Sequence, residues 1–301
     1  MIDGIYDTRA TTIPVLRYLV AIAEHRHFGR AAAACGVTQP TLSAQLAAWE
    51  QRMGVQVCER HARGVRLTPV GERVAVAARQ ALAALAAVED AARAEPPFYG
   101  PLRLGIIPTV APYALPWLVP ALERAFPKLD LRVREATTAE LEAALQAGAI
   151  DAALLALLPG MSGEPLYHEA FLAALPQRHR LASLAEIAPA QLAQERLLLL
   201  DEGHCLRGQA LELCGQASVA SGYRATSLAT LVRLVAAGHG CTVLPALADE
   251  QLPGVVCRPL AGRPTRTIGL RTRPGDPRRE AWQQLVAVIR RHAPKDRVRL
   301  A

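Results

Sequence analysis

Residues 28–54 read FGRAAAACGVTQPTLSAQLAAWEQRMG, and this stretch decides how the chain begins to fold. GRAAAACGV has the alanine content of a short helix and ends at Gly36, which suits a left-handed C-terminal cap. The next run, TQPTLSAQLAAWEQRMG, opens on Thr38 as an N-cap, carries Pro40 in its first turn and sets Leu42, Leu46 and Trp49 on one apolar stripe. Two helices separated by a tight turn at Gly36-Val37 are what a helix-turn-helix requires. Around Pro40, the second helix presents Thr38, Gln39, Thr41, Ser43 and Gln45 at its leading end. Short polar side chains there reach base edges and phosphates in a major groove, and the helix terminus itself favours phosphate.

Upstream, Leu16, Leu19, Val20, Ile22 and Ala23 recur at helical spacing and give a first amphipathic helix. Residues 1–12 have neither the basic nor the apolar region of a secretion signal and read as an N-terminal extension. Downstream, VCERHARGVRLTP reads as two short strands about a turn at Arg63-Gly64, a wing holding Arg60, Arg63 and Arg66 near the nucleic-acid backbone. A long alanine-rich helix then runs from Pro69 to Ala94, about 39 Å if unbroken. Val70, Val74, Ala77, Ala81, Leu85, Val88 and Ala92 repeat along it at spacings of three and four. That seam would be wet on a solitary helix, so it is expected to pair with the same helix of a second chain. Two-fold pairing in turn predicts double-stranded promoter DNA with inverted-repeat symmetry. Pro96-Pro97 ends the helix and marks a domain boundary.

After the prolines the rhythm becomes strand-helix. LRLGII and LDLRVRE read as strands flanking a helix around Leu115–Ala125, and AIDAALLAL as a third strand after a helix at Leu141–Ala147. RLLLL reads as a further strand. A helix bearing two cysteines, a helix around Leu228–Ala237 and the strand CTVLP follow. Buried strands alternating with helices argue for a parallel α/β sheet. No G-x-G-x-x-G or Walker sequence occurs.

Composition bounds the function classes. The chain has 301 residues, 51% of them apolar and 20% charged, enough for about two domains with cores of their own. No apolar stretch approaches the ~18 residues that span a bilayer, so no membrane partner is expected. The net charge of +7 is unevenly placed. Residues 1–72 hold eight Arg against six acids, whereas residues 255–301 hold eleven Arg and one Lys against three. The basic excess thus lies mostly in the tail, so the pattern rather than the charge points to DNA. The six cysteines, at 35, 58, 205, 214, 241 and 257, include no C-x-x-C pair, which excludes zinc-finger and thioredoxin readings. No metal and no cofactor is expected. The absence of a leader suggests a cytoplasmic chain, where free thiols are the default.

Cys205 and Cys214 stand nine residues apart in DEGHCLRGQALELC. On one helix nine residues advance about 13.5 Å and turn roughly 900°, leaving the side chains on opposite faces. A disulfide needs Cα atoms within about 7 Å, so bonding these two must melt or refold the segment. The residues alone leave two readings: a thiol switch, or two buried and inert thiols.

From Leu16 to Gly71, on FGRAAAACGVTQPTLSAQLAAWEQRMGVQVCER and LTPVG, the chain resembles the winged helix-turn-helix of LysR-type transcriptional regulators. The remainder resembles that family's effector domain. The resemblance implies an N-terminal all-α winged helix-turn-helix with a long linker helix. It also implies a C-terminal α/β effector domain of two lobes, periplasmic-binding-protein-like, with crossovers near residues 165 and 268. The expected divisions are 1–12, 13–71, 72–97 and 98–301, with lobe I at about 98–165 and 269–295 and lobe II at about 166–268.

IPTVAPYALPWL, EATTAELEAAL, LLLLDEGHCLRGQALELC and RTIGLRTRPGDPRR resemble, more narrowly, the hydrogen-peroxide-sensing members of the family. That likeness implies a reversible Cys205–Cys214 disulfide that remodels the effector domain and alters promoter binding. Attack on peroxide needs a thiolate. His204, Arg207 and the helix N-terminus are expected to favour it at Cys205, after which Cys214 condenses with the sulfenic acid. Thr109, Thr138 and Arg266 would then place or polarise the peroxide. The sensors carry Asp after the Arg of HCLR, where this chain has Gly208, which weakens a helix by about 1 kcal/mol relative to Ala. A homodimer through the linker helix, a homotetramer and RNA polymerase as partner are implied, with the chain on the bacterial nucleoid. The alternatives are a LysR-type regulator that binds a metabolite in the cleft and, from another class, a cysteine peroxidase. The reading expects no enzyme.

Overall fold

The computed structural model describes residues 11–61, 64–92, 98–215, 223, 225–249, 253–273, 276 and 278–301. The chain divides into two compact units, one of residues 1–95 with 146–149 and the other of residues 96–145 and 150–301.

The first unit holds α1 (Ile13–His25), α2 (Phe28–Ala34), α3 (Gln39–Met53), β1 (Cys58–His61), β2 (Gly64–Leu67) and α4 (Pro69–Ala92). Thr38 caps α3 by accepting from the Thr41 backbone N–H, and Leu42, Leu46 and Trp49 are buried as their spacing predicts. Gly36 takes the left-handed conformation, φ +69°, after α2. His27, not a usual capping residue, caps α2 through its ring nitrogen. α1 buries Val15, Tyr18, Leu19, Ala21, Ile22 and Ala23, which takes in Leu19, Ile22 and Ala23 of the expected stripe, while Leu16 and Val20 are half-buried. β1 and β2 pair antiparallel as the wing. Within this unit α4 buries Ala75 and Ala78 but leaves the seam residue Val88 67% exposed. At Gly71 an added Cβ would lie 1.9 Å from the Val57 carbonyl oxygen, so only glycine lets α4 start against the wing.

The second unit centres on a sheet ordered β10 (Val298–Leu300), β6 (Glu164–Pro176), β9 (Thr265–Thr272), β5 (Ala152–Ala156), β3 (Gly100–Ile106) and β4 (Leu129–Glu135). Only β3–β4 and β3–β5 are parallel. β9 runs antiparallel to both β5 and β6, so the sheet is mixed and not the parallel sheet expected. The chain leaves after β5, builds a second lobe and returns in the opposite sense. β6 pairs with β9 through Ala170 and then, from Phe171, with β7 (Thr242–Pro245) and β8 (Val255–Pro259). β6 and β9, which contain residues 165 and 268, are thus the strands through which the chain passes between the two lobes.

Helices α5 (Ala111–Ala125), α6 (Thr138–Gln146) and α10 (Arg279–His292) accompany the first lobe, and α7 (Pro189–Ala193), α8 (Cys205–Cys214) and α9 (Leu228–Ala236) the second. RLLLL is not a strand. Leu197 and Leu200 make isolated bridges to Cys241 and Ala225, while Leu197, Leu198, Leu199 and Leu200 are all buried in the second lobe's core. A short apolar run signals burial without specifying a ladder.

Candidate functional site

α8 begins at Cys205 and ends at Cys214, so the two thiols mark the ends of one ten-residue helix. Both are free. Its buried stripe is Leu206, Ala210 and Cys214, at spacings of four. Cys205 is half-buried, whereas Cys214 is 5% exposed and burial pushes its thiol up. The α-helical rise puts the two Cα atoms about 13.5 Å apart, roughly twice the reach of a disulfide.

The turn entering α8 faces the first lobe. Gly203 takes φ +91°, and a Cβ there would lie 3.5 Å from Thr137 Cγ2 at the foot of α6. Thr137 donates to Glu140 Oε2 from both its hydroxyl, at 2.7 Å, and its backbone N–H, at 2.9 Å. Those bonds, with the charges of Arg134 and His204, hold the Glu140 carboxyl below its usual range. The adjacent Thr138 Oγ1 is buried with no hydrogen-bond partner among the described residues.

Strand register brings a second hydroxyl to the same edge. Ile106 on β3 pairs with Glu135 on β4 in a parallel ladder, and Thr109 and Thr138 each follow their strand's member of that pair by three residues. Both therefore stand at the carboxyl edge of adjacent parallel strands, where open α/β sheets place their ligands. Thr109 is 2% exposed and Arg266 is 3% exposed. Arg266 donates from Nη1 to Thr109 Oγ1 at 2.9 Å and from Nη2 to the Thr109 carbonyl at 3.0 Å. Its Nε donates to Glu169 Oε2 at 2.9 Å. Because the Thr109 hydroxyl accepts from Arg266, its own proton is left to point elsewhere. Arg207 donates from Nη1 to the Leu200 carbonyl at 3.2 Å, tying the first turn of α8 to the leucine run.

Glu169 escaped the reading of the sequence. An acid in LYHEAFLAAL, flanked by apolar residues in a strand, was the available signal. Of the other four cysteines, Cys241 sets its sulfur 3.6 Å from His179 Nε2. Burial, with the charge of Glu195, pushes Cys241 up to about 12, and burial with Asp249 pushes Cys257 up to about 12. Cys58 is buried, and Cys35 is raised by burial. Among the described residues no group of His, Cys, Asp and Glu could hold a metal, and no helix is long and apolar enough to cross a membrane.

In the first unit Thr38, Gln39, Pro40, Thr41 and Gln45 are exposed along the leading end of α3 and Ser43 is half-buried. Thr38 and Thr41 share a 2.8 Å hydroxyl–hydroxyl bond. Arg66 is exposed on β2. The Arg60 backbone lies in β1, but its side chain, and Arg63 entirely, fall outside the described residues.

A capped helix-turn-helix with a wing and a two-lobed α/β unit define a bacterial transcription regulator, and family comparison agrees. Residues 14–72 match the bacterial regulatory helix-turn-helix protein model of the lysR family, and residues 97–294 match the LysR substrate binding domain. The chain belongs to the LysR family. Within it, the chain is similar to OxyR proteins. The DNA-binding transcriptional dual regulator OxyR of Escherichia coli (strain K12) is 44% identical over 285 residues, covering 91% of this chain and 93% of that protein. A full-length OxyR variant from Pseudomonas aeruginosa superimposes with a TM-score of 0.82 at 36% identity, covering 93% of this chain and 97% of that one. A cysteine-to-serine variant of Corynebacterium glutamicum OxyR, hydrogen peroxide bound, gives a TM-score of 0.63 at 38% identity over 93% of this chain and 92% of that one.

Proposed function

We propose that this chain is a LysR-type transcriptional regulator that senses hydrogen peroxide through a reversible Cys205–Cys214 disulfide. The observation that carries the reading is the placement of two free thiols at opposite ends of one helix, the first of them at the turn that faces Thr137 and Thr138. The Cys205 thiolate attacks one peroxide oxygen, the S–O bond forms, the O–O bond breaks, and the departing hydroxide takes up a proton to leave as water. Cys214 then attacks the sulfenic sulfur, forming the S–S bond and releasing a second water. Thr109 and Thr138 hold the peroxide, Arg266 stabilises the oxygen that gains charge, and His204, Arg207 and the α8 N-terminus favour the thiolate. Closing a gap of about 13.5 Å melts α8.

Thr38, Gln39, Pro40, Thr41, Ser43, Gln45, Arg60 and Arg63 contact promoter DNA of inverted-repeat symmetry. In this reading residues 13–71 read the DNA, 72–97 join two chains into a dimer, and 98–301 sense the oxidant. The exposure of Ala77, Ala81 and Val88 on α4 supports dimerisation through that helix. A homotetramer, contact with RNA polymerase, a place on the nucleoid of the bacterial cytoplasm and the lack of enzymatic turnover complete the proposal. A metabolite-responsive regulator is the less favoured reading, because it gives the paired thiols no role.

Two measurements test this. Tryptic peptide mass spectrometry after stoichiometric peroxide is expected to find Cys205 linked to Cys214. Footprinting on the gene's own promoter is expected to shift on oxidation for the parent and stay fixed for Cys205→Ser. Unreacted thiols at full peroxide exposure would end the sensor reading.

A further inference from the structure

Glu169 is 0% exposed and lies directly across the β6–β9 ladder from Arg266. Both of its oxygens are engaged. Oε2 accepts from Arg266, and Oε1 accepts the backbone N–H of Leu247 at 2.8 Å, in the turn that follows β7 in the second lobe. The carboxylate is thus fixed from one lobe and in turn fixes the guanidinium of the other. Buried Arg–Glu pairs are costly to desolvate, and an apolar pair of similar volume is often as stable, so burial alone gives no reason for this one.

We propose that Glu169 is a positioning residue for the thiol–peroxide reaction: it aims Arg266, and through it the Thr109 hydroxyl, at the place where peroxide sits. This rests on the sensor reading above. The chain of contacts runs Leu247 N–H, Glu169, Arg266, Thr109, with every link between 2.8 and 3.0 Å. Since Arg266 grips both the hydroxyl and the carbonyl of Thr109, the direction of the free Thr109 proton follows from where Glu169 holds the guanidinium. Tyr167, two residues earlier on β6, is 0% exposed and its hydroxyl has no partner among the described residues. Burial pushes its phenol well up, so it is a neutral neighbour and a built-in control.

The test uses the full chain in a Cys214→Ser background, so that reaction stops at Cys205. Rates with hydrogen peroxide and with iodoacetamide are measured, and their ratio separates peroxide positioning from general thiol reactivity and from folding. Glu169→Gln is expected to lower the ratio roughly tenfold to a hundredfold, the scale of an ångström-level misplacement. Glu169→Asp, which keeps the charge, is expected to lower it less, and Tyr167→Phe to leave it within about twofold. On an Arg266→Ala background Glu169→Gln is expected to add nothing, because its effect passes through Arg266. Ratios within twofold of the parent for both Glu169 variants overturn the proposal, as does a full additional loss on Arg266→Ala. If neither variant folds, the pair belongs to stability and the proposal is also overturned. A parent whose Cys205 ignores peroxide would instead refute the sensor reading itself.

Discussion

Gly208 offers a direct measure of the work that the disulfide does on the fold. It is the fourth residue of α8, exposed, and an added Cβ would meet nothing within 4 Å. Glycine inside a helix costs about 1 kcal/mol relative to alanine, and Gly208→Ala recovers that much in the reduced form without steric penalty. The oxidised form, in which α8 has melted, gains nothing. Stabilising the reduced state alone makes the disulfide easier to reduce. The midpoint therefore moves to a less negative potential by about 20 mV for this two-electron couple, equivalent to a roughly fivefold fall in the oxidation equilibrium constant.

Equilibration in glutathione redox buffers, with the thiols then alkylated and counted by mass, reads this shift. The same variant separates the two chemical steps. Oxidation of Cys205, at the helix's first residue, keeps the parent rate, while closure by Cys214 slows by up to about fivefold if melting precedes it. A midpoint that stays where it is, or moves to a more negative potential, would show that the disulfide forms without unwinding α8 at Gly208. The mechanical argument would then fail.

Leu206→Ala should act with the opposite sign. Leu206 is 2% exposed, and its truncation weakens the reduced helix by about 2–5 kcal/mol, so the same titration moves to more negative potential. Gly71→Ala drives a Cβ into the Val57 carbonyl and is expected to lower the melting temperature of the DNA-binding unit, with operator affinity in gel-shift assays falling alongside. The Cys241 thiol, held neutral by burial and raised from 9.0 to about 12, adds stability that is full below pH 9 and lost as pH rises toward 12. At pH 10 the loss is on the order of 1 kcal/mol. Thermal melts from pH 8 to 10 should therefore fall less steeply in Cys241→Ala than in the parent, and parallel slopes would refute the assignment.

The parts of this molecule that were legible in its sequence are those written locally. Thr38, Pro40 and the Leu42–Leu46–Trp49 stripe lie within twelve residues of one another and dictate α3 through capping and period alone. The burial of Val15 in place of Leu16 on α1 was not legible, since the two are equally apolar and only the packing chooses between them. The mixed sheet was hidden for another reason: β5 and β9 are more than a hundred residues apart, and direction is set by where the chain returns. The same kind of separation hid Glu169 and left Thr109 and Arg266 legible only through family resemblance. Arg266 finds Glu169 across 97 residues and Thr109 across 157, so neither contact leaves a local trace. Cys205 and Cys214, nine residues apart on one helix, leave an obvious one.

What makes α8 suited to melting is how little holds it. A helix of ten residues is too short to be stable alone in water, so its order depends on packing. Its fully buried stripe is three residues, Leu206, Ala210 and Cys214, of which only Leu206 buries a large side chain, with Leu211 and Leu213 half-buried against the same core. α9, a residue shorter, buries four: Leu228, Leu231, Val232 and Val235. Cys214 is both a packing residue of this stripe and the second reactant. To reach the oxidised Cys205 it must leave the second lobe's core, which removes one of the helix's three fully buried residues. Closing the disulfide and unlocking the helix are therefore one event. The signal cannot be registered chemically without being registered structurally, whereas a resolving thiol on the exposed face of α8 would have separated the two.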